Sequence, residues 1–321
     1  MTLILAYRFS AFGDVAMTVP VIKEFLEQNP EVEIVMASRK MFKDLFNDIP
    51  RLIFLGVDFN EYKGLTGLRK LHKEIISQYK IDFVADLHDI IRTKILNFFF
   101  KASGIKVSRI NKERAEKKIL TDTKNLNKKA LKKNTERYAD VFRNLGFKVT
   151  LSHRLKSNVQ EKKGIGFAPF AQHKGKMLPL EKSYELARIL SKKYKIYFFG
   201  GGKEETSILK KWEEQLPNTQ CLAGTLSLNE ELEKIATLKA MISMDSANMH
   251  LASIVGTRCL SIWMQTHPYA GFLGYGQNEN DTIQINDFTC RPCSVFGNKE
   301  CYRGDWSCRD YIDIQKIIDK L

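Results

Sequence analysis

The sequence predicts an α/β protein with two Rossmann-like domains, each a parallel sheet covered by helices, facing one another across a central cleft. Three observations predict it. Apolar runs and amphipathic segments alternate through both halves of the chain, the pattern of repeated βα units. The alternation lapses at 151–163, "LSHRLKSNVQEKK", where the residues become polar and aperiodic, and then begins again. The 321 residues are long for one α/β domain and comfortable for two of about 150 each. The domains are accordingly placed at 1–155 and 156–321.

Each element follows in order. "LILAY" is a buried strand, and 15–26 is helical, with Pro20 forcing a kink or a restart. "VEIVMA" is a second strand, "MFKDLF" opens another helix, and "DFVADL" is a third strand leading into the helical "IIRTKILNFFFKA". In the second half "GIGFAPF" is a strand, "SYELARILSKKY" a helix, "KIYFFG" a strand and "EETSILKKWEEQL" a helix. The helix "NEELEKIATLKA", strand "MISM", helix "SANMHLASIVG" and strand "RCLSIW" follow, with a last helix over 310–321.

Ligands of open parallel sheets bind at the carboxyl ends of strands, so the turns there are the places to look for chemistry. In "SAFGDV" Ser10 and Gly13 make a sharp turn and Asp14 opens a helix. Asp is a favoured N-cap, and equally a general base. In "MISMDSANMH" the strand ends at Asp245, and small Ser246 and Ala247 leave the amides of the next helix open to an anion. Asp245 can accept hydrogen bonds from sugar hydroxyls, and His250 falls one turn into that helix. "FAPFAQHKGKMLP" carries Lys174 and Lys176 in a loop suited to phosphate. "FFGGGKEE" lacks the spacing of a dinucleotide fingerprint; Glu204 or Glu205 can hold a ribose hydroxyl or simply supply charge to the first turn of the next helix. Arg92, after "DFVADLHDII", can hold an acceptor carboxylate or phosphate.

With 44% apolar residues the chain can build real cores. It contains no run of about 18 apolar residues, and "MTLILAYR" is too short for a signal peptide, so a cytoplasmic protein is expected. The net charge is +14. Segment 101–137 holds thirteen basic and four acidic residues, either a cluster that attracts nucleic acid, an anionic membrane or a phosphorylated substrate, or simply a solvated lysine-rich surface. Without interleaved aromatics, a zinc-finger pattern or an RNP pattern, nucleic acid is not an expected partner. Cys290, Cys293, Cys301 and Cys308 fall within nineteen residues. The first pair has zinc-knuckle spacing and the second is wider, so the cluster is either a structural zinc site or a set of reduced thiols. Cys221 and Cys259 read as core residues.

"FSAFGDVAMTVP" and "DSANMHLASIVGTRCLSIWMQTHP" together resemble glycosyltransferase family 9, the heptosyltransferases of the lipopolysaccharide core. The resemblance implies the GT-B fold and inverting, metal-independent transfer of a heptose from an ADP-sugar. It makes Asp14 the general base, with Ser10, Gly13 and Arg92 on the acceptor side. Lys176 would hold the donor diphosphate, Asp245 the sugar hydroxyls, and Ser246, Ala247 and His250 would frame the diphosphate. The acceptor would be an acidic, Kdo-bearing lipid A at the inner membrane periphery, held by the basic segment of the first domain. In that fold the last helix commonly returns to the first domain. Leu178 stands where the family has Trp, and Asp245-Ser246-Ala247-Asn248 where it has Asp-Thr-Gly-Pro; Ala247 narrows the approach to the phosphate and bears on the donor's identity. Two alternatives accompany this reading: another nucleotide-sugar donor, or a non-catalytic protein of the same fold that binds polyanions or lipid.

Overall fold

The computed structural model describes residues 1–157 and 159–321; Asn158, within the expected connection at 151–163, lies outside the described residues. The chain divides into two compact units, the first comprising 1–112 and 134–152, the second 113–133 and 153–321.

The first unit is built on strands β1 (Thr2–Tyr7), β2 (Val32–Ser38), β3 (Leu52–Gly56), β4 (Phe83–Asp86) and β5 (Lys106–Arg109). They form one sheet in the order β3-β2-β1-β4-β5, and every neighbouring pair is parallel. Between them run α1 (Phe12–Ala16), α2 (Thr18–Gln28), a 3-10 turn at Lys40–Phe46, α3 (Gly64–Gln78) and α4 (Ile91–Ala102). "MFKDLF" is thus a 3-10 turn and not the start of an α-helix. The helix expected over 15–26 restarts at Thr18. That puts Pro20 in the first turn of α2, where its missing N–H breaks no intrahelical bond. Leu5 and Tyr7 of β1 join a core with Leu68, Leu71 and Ile75 of α3 and Leu96 and Phe100 of α4. Ile4 and Ala6 point the other way and are equally buried, so the strand is covered on both faces.

The second unit begins with α5 (Arg114–Leu120), after which the chain returns to the first unit for α6 (Asn134–Arg143). Its sheet contains β6 (Ile165–Ala168), β7 (Ile196–Phe198), β8 (Thr219–Cys221), β9 (Ala240–Met244), β10 (Cys259–Ile262) and β11 (Thr282–Ile283). The order is β11-β10-β9-β6-β7-β8, again parallel throughout. The connecting helices are α7 (Leu180–Leu190), α8 (Gly202–Gln215), α9 (Leu228–Ala236) and α10 (Ala247–Ile254).

Two expectations are corrected. The basic segment 101–137 does not belong wholly to the first unit, because eight of its thirteen cations fall in 113–133. That stretch is fastened to the second unit by several contacts. The Leu131 N–H donates to the Tyr269 carbonyl (2.8 Å). Lys117 Nζ lies 4.7 Å from the Phe272 ring centroid, and Lys133 pairs with Glu279 at 3.6 Å. The final segment, 310–321, is not one helix. It contains the end of α11 (Ser307–Asp310) and then α12 (Gln315–Ile318), and Ile312 and Ile317 are buried in the second unit's own core. Among the described residues no helix is long and apolar enough to cross a membrane.

Candidate functional site

In each sheet one strand is flanked by the strands of two opposite-running connections: β1 lies between β2 and β4, and β6 between β7 and β9. At such a switch point the turns leaving neighbouring strands diverge and open a crevice at the carboxyl end. Asp14, Lys176 and Asp245 all lie on turns of this kind.

In the first unit, Tyr7 of β1 registers with Asp86 of β4, so the segments that follow run side by side. Asp86 is fully buried and accepts from the His88 and Asp89 amides (2.8 and 2.9 Å) and from Asn97 Nδ2 (2.7 Å). Its carboxylate is committed to shaping the turn. Asp14 sits in the first turn of α1, where it accepts a 3.3 Å hydrogen bond from the Ala11 amide and forms a 2.6 Å ion pair with Arg8. Arg8 is itself buried and donates to the Leu87 carbonyl at 2.9 Å. Burial works against its charge, but Tyr138 and Asp14 outweigh that and hold its pKa above the ordinary guanidinium value. The Tyr138 hydroxyl donates to the Asp14 carbonyl at 3.4 Å. The result is a carboxylate fixed from below while part of it stays open to solvent.

Ser10 Oγ lies 3.4 Å from His88 Nε2, and the Phe9 amide donates to His88 Nδ1 at 3.4 Å, which leaves the ring proton on Nε2. Arg92 stacks its guanidinium 3.9 Å from the Phe59 ring centroid, a cation–π contact that limits its rotamers. Burial pushes the His88 pKa down to about 3, with Arg8, Lys112, Arg39 and Arg92 adding to the effect. The ring thus stays neutral among four cations, of which Arg8 is already paired with Asp14. Arg8 and Arg39 were not singled out by sequence reasoning. Arg8 stands six residues before Asp14, and that spacing is the only local signal of their pairing.

The second unit brings Lys176 and Asp245 together: Lys176 Nζ is 2.9 Å from Asp245 Oδ2, with side-chain exposures of 17% and 5%. Lys176 closes a 3-10 turn, Lys174–Lys176, that follows β6, while Asp245 follows β9. Ser246 is the N-cap of α10, and its hydroxyl is 3.1 Å from that of Ser243. Ser246, Ala247 and Asn248 are half-buried, so the first turn of α10 offers open amides beside the Lys176 cation. His250 is buried within the same helix. Glu204 is exposed at the start of α8, whereas the neighbouring Glu205 accepts the Gly201 amide at 2.8 Å and caps the turn. Leu178 is buried in the core and Pro179 is the N-cap of α7. All six cysteines are free; Cys221 and Cys259 are buried, and the other four line a common pocket.

The histidines give the fold a defined acid response. Burial, with Arg291 and Lys128 nearby, pushes His267 down to about 4, as His88 is pushed to about 3. Both rings are neutral when folded, but in the unfolded chain they take up protons near pH 6.5. The unfolded chain therefore binds more protons below that value, and stability falls as the pH drops from about 6.5 toward 4. Urea midpoints measured across this range should decline on acidification, and His88→Gln should flatten the decline. An unchanged slope would remove His88 from the account.

No curated protein matches the sequence. Among solved structures, a family 9 glycosyl transferase from Veillonella parvula superposes with a TM-score of 0.74 at 18% identity, covering 99% of this chain and 95% of that one. The E. coli ADP-heptose lps heptosyltransferase II gives 0.68 at 16% identity, over 100% and 97%. The E. coli heptosyltransferase WaaC with ADP gives 0.64 at 16%, over 86% and 92%. These likenesses establish the GT-B fold. The sequence profile of glycosyltransferase family 9 (heptosyltransferase) matches residues 68–302. A profile match over most of the chain, on a fold whose two sheets carry polar turns at their switch points, means that the chain belongs to glycosyltransferase family 9 and is a glycosyltransferase of the heptosyltransferase type.

Proposed function

We propose that this glycosyltransferase moves a heptose from an ADP-sugar to an acidic lipopolysaccharide-core acceptor, with inversion and without a required metal. The observation that carries the reading is the Lys176–Asp245 pair at 2.9 Å beside the open first turn of α10. A cation and unpaired amides suit a diphosphate, and a carboxylate next to them suits sugar hydroxyls. Lys176 and the amides of Ser246 and Ala247 bind the diphosphate. Asp245 orients the sugar, His250 supports the α10 turn from within, and Glu204 reaches a ribose hydroxyl. Asp14 takes the proton from the acceptor hydroxyl as its oxygen bonds to the anomeric carbon. The bond from that carbon to the diphosphate breaks, and ADP leaves with its charge held by Lys176.

Ser10, Gly13 and Arg92 shape the acceptor side. Arg92, with the cations around His88, suits the phosphates and carboxylates of Kdo-bearing lipid A. The remaining lysines of 101–137 favour an anionic membrane surface at the cytoplasmic face of the inner membrane, at about 1 kcal/mol for each cation close to it.

Calorimetry with ADP, GDP, UDP and CDP tests the donor half. ADP alone should bind, and an ADP-heptose assay with a Kdo-bearing lipid A acceptor should then show transfer. Selective binding of another nucleotide would keep the transferase and replace the heptose donor.

A further inference from the structure

The chain leaves β10 through 263–266, and this short exit reaches both members of the Lys176–Asp245 pair. On one side the Asp245 amide donates to the Ile262 carbonyl (3.1 Å), and on the other the Gln265 amide donates to the Gly175 carbonyl (3.0 Å). The span 262–265 therefore links the carboxylate to the turn that presents the cation, with Ile262 of β10 in register with Met244 of β9. The exit is itself held firmly. The buried Arg291 donates from Nη2 to the Trp263 and Thr266 carbonyls (3.0 Å each) and from Nε to the Met264 carbonyl. Bonds from a charged donor are the strong ones.

Gln265 is 1% exposed and holds more than Gly175. Its carbonyl accepts from the Cys293 amide (3.3 Å), and its Nε2 donates to the Lys299 and Glu300 carbonyls (2.8 and 3.3 Å). These partners belong to the cysteine-bearing loop 284–306, which contains neither helix nor strand and owes its course to such contacts. Between the two attachments Gly297 lies against the Lys174–Lys176 turn. A Cβ on Gly175 would stand 2.2 Å from Gln265 Oε1 and 2.7 Å from the Gly297 carbonyl oxygen. A Cβ on Gly297 would stand 2.6 Å from Lys176 Cγ. Gly297 thus forms a wall along the Lys176 stem, and Gln265 ties down the chain on either side of that glycine.

We propose that Gln265 is a positioning residue of the donor site: it seats the Lys174–Lys176 turn and closes Gly297 against the Lys176 stem, and so fixes the ammonium for the donor diphosphate. The inference rests on the role given to Lys176 above. A lysine already held in place when the nucleotide arrives loses little further freedom on binding it. Arg309 Nε donates to the Met177 carbonyl at 2.7 Å, so the turn keeps one attachment that does not involve Gln265. Loss of the Gln265 amide therefore loosens the turn without releasing it.

Gln265→Met, made in the full chain, keeps most of the side-chain bulk and removes its donors. Calorimetry should show ADP bound about tenfold more weakly, a coupling usual within one hydrogen-bonded network. Hydrogen exchange should quicken at the Lys176 and Met177 amides, which donate to the His173 and Lys174 carbonyls within the turn. In a Lys176→Ala background the same change should alter ADP affinity by less than about twofold, because its effect runs through the ammonium. Gly297→Ala, which forces the Lys176 stem aside and leaves Gln265 unchanged, should repeat this pattern of affinities as an independent variant. Equal weakening in both backgrounds would mean a general structural role, and unchanged exchange would mean that other contacts seat the turn; either overturns the proposal. If Lys176→Ala itself leaves ADP binding intact, the donor role of Lys176 fails, while faster exchange in Gln265→Met still upholds the seating of the turn.

Discussion

Asp14→Asn is expected to lower the transfer rate by about 10³-fold while leaving ADP affinity unchanged. Removal of a general base costs about 10²–10⁴, and Asn fills the same space without being able to take a proton. The Arg8 guanidinium, now 2.6 Å from the carboxylate, loses its counter-charge in this variant, so some loss of stability should accompany the loss of rate. The two effects separate in Arg8→Met, which disturbs the position of Asp14 but leaves the base in place. Its rate should fall less than that of Asp14→Asn. Transfer close to wild type in Asp14→Asn would remove this carboxylate from the chemistry.

Lys176→Ala should act on binding and on stability together. The substitution leaves Asp245, with 5% side-chain exposure, almost buried without its cation. Breaking a buried pair from one side costs about 3–5 kcal/mol, and the lower end applies because Lys176 keeps some contact with solvent. Loss of the charge-assisted contact to a diphosphate removes about 1.5–3 kcal/mol, which weakens ADP by about 10- to 150-fold. The double variant Lys176→Ala/Asp245→Asn distinguishes the two effects: it should recover most of the melting temperature and none of the ADP affinity. Recovery of ADP binding in the double variant would mean that Lys176 serves only to neutralise Asp245.

The strands that sequence reading identifies are the interior ones. β1, β2, β4, β6, β7, β9 and β10 all have two neighbours, whereas β3, β5, β8 and β11, which it does not identify, are the four sheet edges. The physical reason lies in their burial. β6, β9 and β10 are buried along their whole length and read as continuous apolar runs. Leu52–Gly56 is largely half-exposed and Lys106 and Arg109 at the ends of β5 are exposed, and Thr219–Cys221 has only three residues, as edge strands commonly do. The helix α3 was legible in principle, since Leu68, Leu71, His72 and Ile75 are its buried face and stand at helical spacing.

The site divides along similar lines. Asp14, Lys176 and Asp245 stand at strand-to-helix turns, where local sequence carries the signal. The support of Asp14 by Arg8 depends on the pairing of β1 with β4, which brings the Leu87 carbonyl to the guanidinium. It depends also on Tyr138, more than 120 residues away. No local pattern encodes either partner. The cysteine spacing leaves structural zinc and reduced thiols both open, and the contact of the cysteine loop with the Lys176 turn arises from chain segments more than 100 residues apart.

The excursion of 113–133 into the second unit has a consequence for the order in which the chain can mature. Its fastening points, Tyr269, Phe272 and Glu279, are synthesised long after it. At about 5–20 residues per second, the stretch waits for roughly 7–30 seconds before they are made. During that interval the first sheet can close, since all five of its strands are complete by Arg109. The lysine-rich stretch meanwhile hangs from it as a charged loop that its own repulsion keeps from collapsing. Completion of the second sheet then draws the loop in. A nascent chain stalled before residue 269 should therefore be cut by trypsin within 113–133 while the remainder of its first unit resists.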